Sequence, residues 1–321
     1  MKYKVLCTAP FLRFPKVVEK FHKTFDGEII EYMEHKDILK EIKGYQGMIP
    51  NARIPLDNEI LKNAHNLKAV YQPSMGYEHI SVEILETLGI SFNALGLDLN
   101  FKNTLWSTAE HAVSLMLSLI KDLPKSINDV KDKGSWDNRK YNINDLRALR
   151  IGIVGLGNIG KKVSSICNAF GADIFAYDPY IEENDFPEFV KQEKSLSNLL
   201  EKIDLLTIHV PLKEDTHNLI GINEFSNMKK GSYIINTSRG GVINEDALIE
   251  AIQQKIIIGA ALDVLENESP FGVGGHKLVK FSKDKNNIII TPHLGGSSYP
   301  YMESIFLHSI EELNKMLMQK T

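Results

Sequence analysis

The chain opens with a repeated alternation. Short, continuously apolar runs rich in β-branched residues are followed by stretches whose apolar positions recur every three or four residues. From Lys4 to about Ala94 the runs YKVLCTA, GEIIEY, QGMIPN, LKAVYQPS and ISFNA read as strands, and HKDILKEIKGY, DNEILKNAH and SVEILETLG read as helices between them. A second series runs from Leu149 to about Pro292: LRIGIVG, ADIFAYD, DLLTIHV, SYIINTS, IIIGAALD and NIIITPH. These strands are apolar at nearly every position, the pattern of a parallel sheet covered on both faces. The rhythm predicts two α/β units in tandem.

Between the two series lies STAEHAVSLMLSLIKDLPKS, where Ser107 and Glu110 stand three apart as in a capping box, followed by apolar residues almost all the way round. Such a helix is expected to be buried, with a second subunit as a candidate cover. YPYMESIFLHSIEELNKMLMQKT reads as a closing amphipathic helix with no strand after it.

At 321 residues, the chain exceeds what one core usually organises, which fits two domains. The 37 basic and 41 acidic residues nearly balance and form no basic block, so neither nucleic acid nor an anionic membrane is the expected partner. Cys7 and Cys167 show neither CxxC nor Cys/His spacing, which fits a reduced, cytoplasmic protein with no disulfide framework and no zinc site. No apolar run approaches the length of a membrane span. The start, MKYKVLCTAPFLRFP, is interrupted by Arg13 and two prolines and reads as a first strand, not a leader.

The first chemistry-bearing motif is RIGIVGLGNIGKKVSSICNAFGADIFAYDPY. Gly155, Gly157 and Gly160 form a GxGxxG after a strand, with Asn158 and Ile159 opening the helix, and Asp178 stands 18 residues past Gly160 at the next strand's end. The bland alternative is a tight strand-to-helix turn with no ligand. With strand, helix and acid in register, the motif points to a dinucleotide whose pyrophosphate lies on the helix start. An acid at position 178 accepts from ribose hydroxyls and repels a 2′-phosphate, favouring NAD over NADP.

The second is GSYIINTSRGGVINEDAL, where an arginine ends an apolar strand. Ligands of open parallel sheets bind beyond the carboxyl ends of the strands, so Arg239, the segment from Asp263 to Glu268, and His293 should face one crevice. A guanidinium grips a carboxylate bidentately, and an imidazole beside a carboxylate can exchange a proton with a hydroxyl or carbonyl.

NTSRGGVINEDAL, GAALDVLENESP and TPHLGGSS, with VGLGNIG upstream and QPSMGYEHI in the first unit, resemble the D-isomer-specific 2-hydroxyacid dehydrogenase family over nearly the whole chain. The resemblance implies two doubly wound parallel-sheet domains. One is a Rossmann NAD-binding domain (101–296); the other is a flavodoxin-like substrate domain built from both chain ends (1–100 with 297–321). It implies that Arg239 pairs with the substrate carboxylate, that His293 is the general acid/base, and that Glu268 orients His293, with Glu266 as competitor for that role. Asp263, Thr237, Val210 and Pro211 match positions at the nicotinamide end, and Met75 and Gly76 match a loop whose backbone amides receive the substrate carboxylate. His111 reads as structural, and His209 as acting through its backbone.

The segment from Ser269 to Asn287 is longer and richer in glycine than is usual between the glutamate and the histidine. IPNARIP and YQPSMG place no arginine where phosphoglycerate-type members carry one; the expectation is that no regulatory domain follows Thr321 and that a phosphorylated substrate is disfavoured. The expectation is an NAD-dependent enzyme, a homodimer by resemblance, needing no metal and acting on a small D-2-hydroxy acid or on a 2-keto acid of the glyoxylate, hydroxypyruvate or pyruvate type. The alternative is an NAD(H)-gated scaffold like the C-terminal-binding corepressors.

Overall fold

The computed structural model describes residues 2–31, 33–51, 54–268 and 272–320. Residues 52–53 of IPNARIP and 269–271, the start of the glycine-rich segment, lie outside them. The chain divides into two compact units, Met1–Leu105 with Ser298–Thr321, and Trp106–Ser297.

The first unit holds five parallel strands, β1 (Lys4–Cys7), β2 (Asp26–Ile29), β3 (Gly47–Ile49), β4 (Ala69–Gln72) and β5 (Ser91–Ala94), ordered β2-β1-β3-β4-β5. This is the doubly wound flavodoxin-like order. Alternation along each strand splits its side chains between two cores: Val5, Cys7, Ala69 and Tyr71 enter one, Leu6 and Val70 the other. The closing helix Tyr299–Gln319 completes the first core, with Phe306, Ile310, Leu313 and Leu317 on one face at spacings of three and four residues. A final helix without its own strand is thereby accounted for. On the opposite face the helix Asn58–Asn63 starts under Asp57, whose carboxylate accepts the Glu59 and Ile60 N–H groups.

The second unit holds seven parallel strands, β6 (Arg150–Val154), β7 (Asp173–Tyr177), β8 (Val190–Gln192), β9 (Leu205–Ile208), β10 (Ser232–Asn236), β11 (Ile257–Leu262) and β12 (Ile288–Ile290), ordered β12-β11-β10-β9-β6-β7-β8. Counted from its own first strand the order is 3-2-1-4-5-6-7, the Rossmann sequence with one strand added. The direction of winding reverses between β6 and β9, which makes their carboxyl ends the switch point.

Two details differ from the sequence reading. Strand β8 was not among the expected runs, because it is only three residues long and its middle residue, Lys191, is exposed at the sheet edge. The helix Ser107–Ile120 has no Ser107/Glu110 capping box: Glu110 N–H donates to the Trp106 carbonyl at 3.0 Å, so Ser107 is already inside the helix and Trp106 is the cap. Ala109, Ala112, Val113, Leu115, Met116, Leu119 and Ile120 of this helix are buried, whereas Glu110 and Ser114 are exposed.

Candidate active site

At the switch point the chain leaves β6 into Gly155, whose φ of +88° lies in the left-handed region. A side chain there would also meet the His209 carbonyl oxygen at 2.7 Å, since the segment after β9 runs alongside. Gly160 packs so closely that a Cβ would stand 2.1 Å from the Gly155 carbonyl oxygen, which seats the helix Asn158–Ala169 on the sheet. Gly157 is different: a Cβ there would meet nothing within 4 Å, and the residue is exposed at the helix N-cap, with no side chain capping it. The start of a twelve-residue helix therefore lies behind an exposed glycine, its first N–H groups and its positive dipole end facing the loop. Asp178, just past β7, holds the loop from the side: its Oδ2 accepts the Leu156 N–H at 2.8 Å and its Oδ1 the Tyr180 N–H at 2.9 Å. The exposed helix start, the closely packed glycines and the acid at the second strand's end fit an adenine dinucleotide.

Other positions expected near a nicotinamide lie at the ends of β9, β10 and β11. Val210 is half-buried against the core and Pro211 is exposed, its carbonyl accepting from Thr216 Oγ1 at 2.6 Å. Thr237, 8% exposed, has a buried Oγ1 with no hydrogen-bond partner among the described residues, a donor and acceptor left over by the fold. Asn158 bonds Lys162 Nζ at 2.7 Å, and Ile159 packs half-buried against the core. His209 is held by its backbone, donating to the Val154 carbonyl at 2.8 Å, while its Nε2 lies 2.9 Å from Thr207 Oγ1. Desolvation pushes its pKa down to about 3, so the ring is neutral.

Arg239, half-buried, follows β10 and sits at the start of the turn Gly240–Val242. Its Nη1 donates to the Ser238 carbonyl at 2.8 Å, and its own carbonyl accepts from Asn236 Nδ2 at 2.9 Å. Gly240 lets this turn lie directly against the segment after β11, for a Cβ there would be 2.2 Å from the Glu266 nitrogen. That segment carries Glu268. One Glu268 oxygen accepts the Leu265 N–H at 3.1 Å and the other bonds His293 Nδ1. Burial alone would raise the Glu268 pKa. The hydrogen bond and charge of His293, the Leu265 N–H and the nearby Arg239 charge outweigh it, and the carboxylate is held below its usual range. Glu266, the competitor, instead faces His217, with 3.6 Å between Oε1 and Nε2.

His293 adopts a left-handed backbone (φ +57°) and its N–H donates to the carbonyls of Asp263 and Thr291 at 2.9 and 3.0 Å. A left-handed non-glycine residue costs roughly 1–2 kcal/mol, offset here by the bonds around Asp263. That carboxylate is 1% exposed. Its Oδ1 accepts from Thr291 Oγ1 at 2.5 Å, Leu294 N at 2.8 Å and His111 Nε2 at 3.1 Å, and its Oδ2 from Gly295 N at 2.8 Å. Burial pushes its pKa up, but these donors prevail and lower it. His111 therefore has more than a packing role: it reaches from the helix Ser107–Ile120 to the Asp263 and Thr291 side chains, the latter at 3.2 Å. No feature of the surrounding STAEHAVSLMLSLI marks this contact.

Arg239, Glu268, His293 and Asp263 are thus neighbours at one sheet edge of the second unit. Met75 and Gly76 belong to the first unit, in the loop after β4, where Met75 is 38% exposed and the Gly76 carbonyl accepts from Ser74 Oγ at 2.7 Å. Among the described residues no group of three or more His, Cys, Asp or Glu is placed to hold a metal ion.

A family model described as D-isomer specific 2-hydroxyacid dehydrogenase, NAD binding domain, matches residues 113–295. The D-3-phosphoglycerate dehydrogenase of Archaeoglobus fulgidus is 32% identical over 84% of this chain and 49% of its own length. The hydroxypyruvate reductase of Thermotoga maritima is 30% identical over 89% of this chain and 90% of its own. The chain spans about half the length of the first relative, and nearly all of the second. Among solved structures, the D-lactate dehydrogenase of Aquifex aeolicus, complexed with NAD and lactic acid, superposes with a TM-score of 0.84 at 26% identity over 98% of this chain and 96% of that one.

Proposed function

Because the chain belongs to the D-isomer specific 2-hydroxyacid dehydrogenase family, we propose that it is an NAD-dependent oxidoreductase interconverting a small D-2-hydroxy acid and its 2-keto acid. Glyoxylate, hydroxypyruvate and pyruvate represent the substrate class. The observation that carries this reading is the His293–Glu268 pair beside Arg239, on the same sheet as the exposed glycine loop.

NAD(H), when bound, supplies or takes up the hydride. Gly155, Gly157, Asn158, Ile159 and Gly160 would hold its pyrophosphate and Asp178 its adenosine ribose, while Val210, Pro211, Thr237 and Asp263 would line the nicotinamide end. In the reductive direction His293, protonated and held by the Glu268 carboxylate, gives its proton to the substrate's carbonyl oxygen. In the oxidative direction the neutral imidazole takes the proton from the C2 hydroxyl. Arg239 grips the substrate carboxylate and draws charge toward the carbonyl oxygen, so the transition-state charge meets a preorganised cation.

We extend the reading to a cytoplasmic homodimer. Family resemblance supports the dimer, and two buried free thiols, Cys7 and Cys167, suit a reducing compartment; no helix of the described residues is long and apolar enough to cross a membrane. The test is NADH oxidation by the purified protein across a panel of 2-keto acids. The panel includes 3-phosphohydroxypyruvate, because one relative is named D-3-phosphoglycerate dehydrogenase. Rapid oxidation with a small unphosphorylated acid supports the enzyme. Tight NADH binding with no turnover on any acid supports the corepressor-like scaffold.

A further inference from the structure

A buried acid that this chemistry does not use lies behind the Glu268–His293 pair. Glu245, the first residue of the helix Glu245–Gln253, is 3% exposed. Its Oε1 accepts the Glu266 N–H at 2.9 Å. His276 approaches the same residue at its carbonyl: Nε2 lies 3.1 Å from Glu266 O and 3.3 Å from Glu245 Oε2. The Leu278 N–H donates to His276 Nδ1 at 3.3 Å. Nδ1 is therefore the acceptor, and the proton that bonds Glu266 O must sit on Nε2. The imidazole caps the helix Lys277–Ser282 with one nitrogen and holds residue 266 with the other.

The grip matters because of what residue 266 adjoins. Gly240, next to Arg239, packs on the Leu265–Glu266 peptide, and Glu268 accepts the Leu265 N–H. Any rotation of the Leu265–Glu268 turn moves Glu268 relative to both His293 and Arg239. Glu245 and His276 fix that turn from its far side, through the N–H and the C=O of one residue.

We infer that Glu245 and His276 are positioning residues: bracketing the main chain of Glu266, they hold the Leu265–Glu268 turn so that Glu268 stays on His293. The inference rests on the reading of Glu268 and His293 as the proton-handling pair. It also gives the glycine-rich segment, from which His276 comes, a task at the site.

Two substitutions separate this role from simple helix capping. In His276→Asn the side-chain oxygen can still accept the Leu278 N–H, but the donor to Glu266 O is gone. In His276→Gln the amide N–H₂ can reach Glu266 O, but the cap is lost. The experiment compares kcat, NADH affinity by fluorescence, and hydrogen exchange of the Leu265 and Glu266 amides in both variants and the wild-type protein. His276→Asn should lower kcat about tenfold or more, as expected when a reacting group is misplaced, leave NADH affinity within about twofold, and speed exchange at Glu266. His276→Gln should stay close to wild type in all three. Wild-type kcat and exchange in His276→Asn, or equal impairment of the two variants, would overturn the inference. If wild-type protein turns over none of the acids, the functional reading fails, while exchange at Glu266 still decides whether His276 holds the turn.

Discussion

Gly240 and Leu265 touch main chain to main chain: a Cβ on Gly240 would stand 1.9 Å from the Leu265 carbonyl carbon. The contact joins the turn bearing Arg239 to the turn bearing Glu268. Gly240→Ala must therefore push the two turns apart, since neither atom is the movable end of a side chain. The expected result is a loss of kcat/KM of at least about a hundredfold, the scale set by ångström-level misplacement, with NADH still bound by the glycine loop after β6. Steady-state kinetics beside fluorescence titration check both halves.

The neutral His209 makes stability depend on pH. Its folded-state pKa is depressed to about 3 by desolvation, whereas an unfolded histidine titrates near ~6.5. Below that value the unfolded chain binds a proton that the folded chain does not, so stability falls as the pH falls. This single group contributes up to about 1.4 kcal/mol per pH unit until the folded ring itself titrates. Urea midpoints measured at several pH values should show a shallower decline in His209→Gln. Parallel declines in the two proteins would mean that His209 is protonated in the fold.

Asp263 gives a second dependence at lower pH. With its folded pKa depressed by its donors, its contribution is complete above the unfolded value of ~3.9 and is lost as the pH falls through the folded one. Asp263→Asn, which places an amide donor among N–H and O–H donors, should cost about 1–3 kcal/mol at neutral pH, and less in acid. His111→Leu removes only one of those donors and should cost less than Asp263→Asn. Equilibrium unfolding of the three proteins at neutral and acid pH is the check.

Much of this arrangement is legible from local pattern. Runs such as LRIGIVG and SYIINTS become β6 and β10 because their residues are buried on both faces, and a parallel sheet then brings residues after β10, β11 and β12 to one edge. What escapes the sequence is contact between distant side chains. His111 meets a partner 152 positions away, and nothing in the helix around it marks that. The choice between Glu266 and Glu268 depends on a turn in which Asn267 takes a left-handed φ of +55°, turning neighbouring acids toward different histidines. Strand β8 leaves little trace in the sequence because an edge strand with an exposed lysine carries little of the apolar signal. Ser107 failed as a cap because the chain enters its helix one residue earlier, at Trp106.

Asp178 should set the cofactor preference. Its carboxylate stands past β7, bonded to Leu156 and Tyr180, where it would repel a 2′-phosphate. Asp178→Ser should bring the NADH and NADPH dissociation constants closer by about tenfold or more, the scale of removing one like-charge contact. An unchanged ratio would place the discrimination elsewhere.

The proposed chemistry depends on His293, seated on Glu268, moving the proton at the substrate oxygen. Single-turnover reduction of a 2-keto acid by enzyme preloaded with NADH measures that step without product release. His293→Ala is expected to slow it by about 10²- to 10⁴-fold while NADH affinity stays near that of the wild-type protein. A single-turnover rate unchanged by the substitution would contradict it.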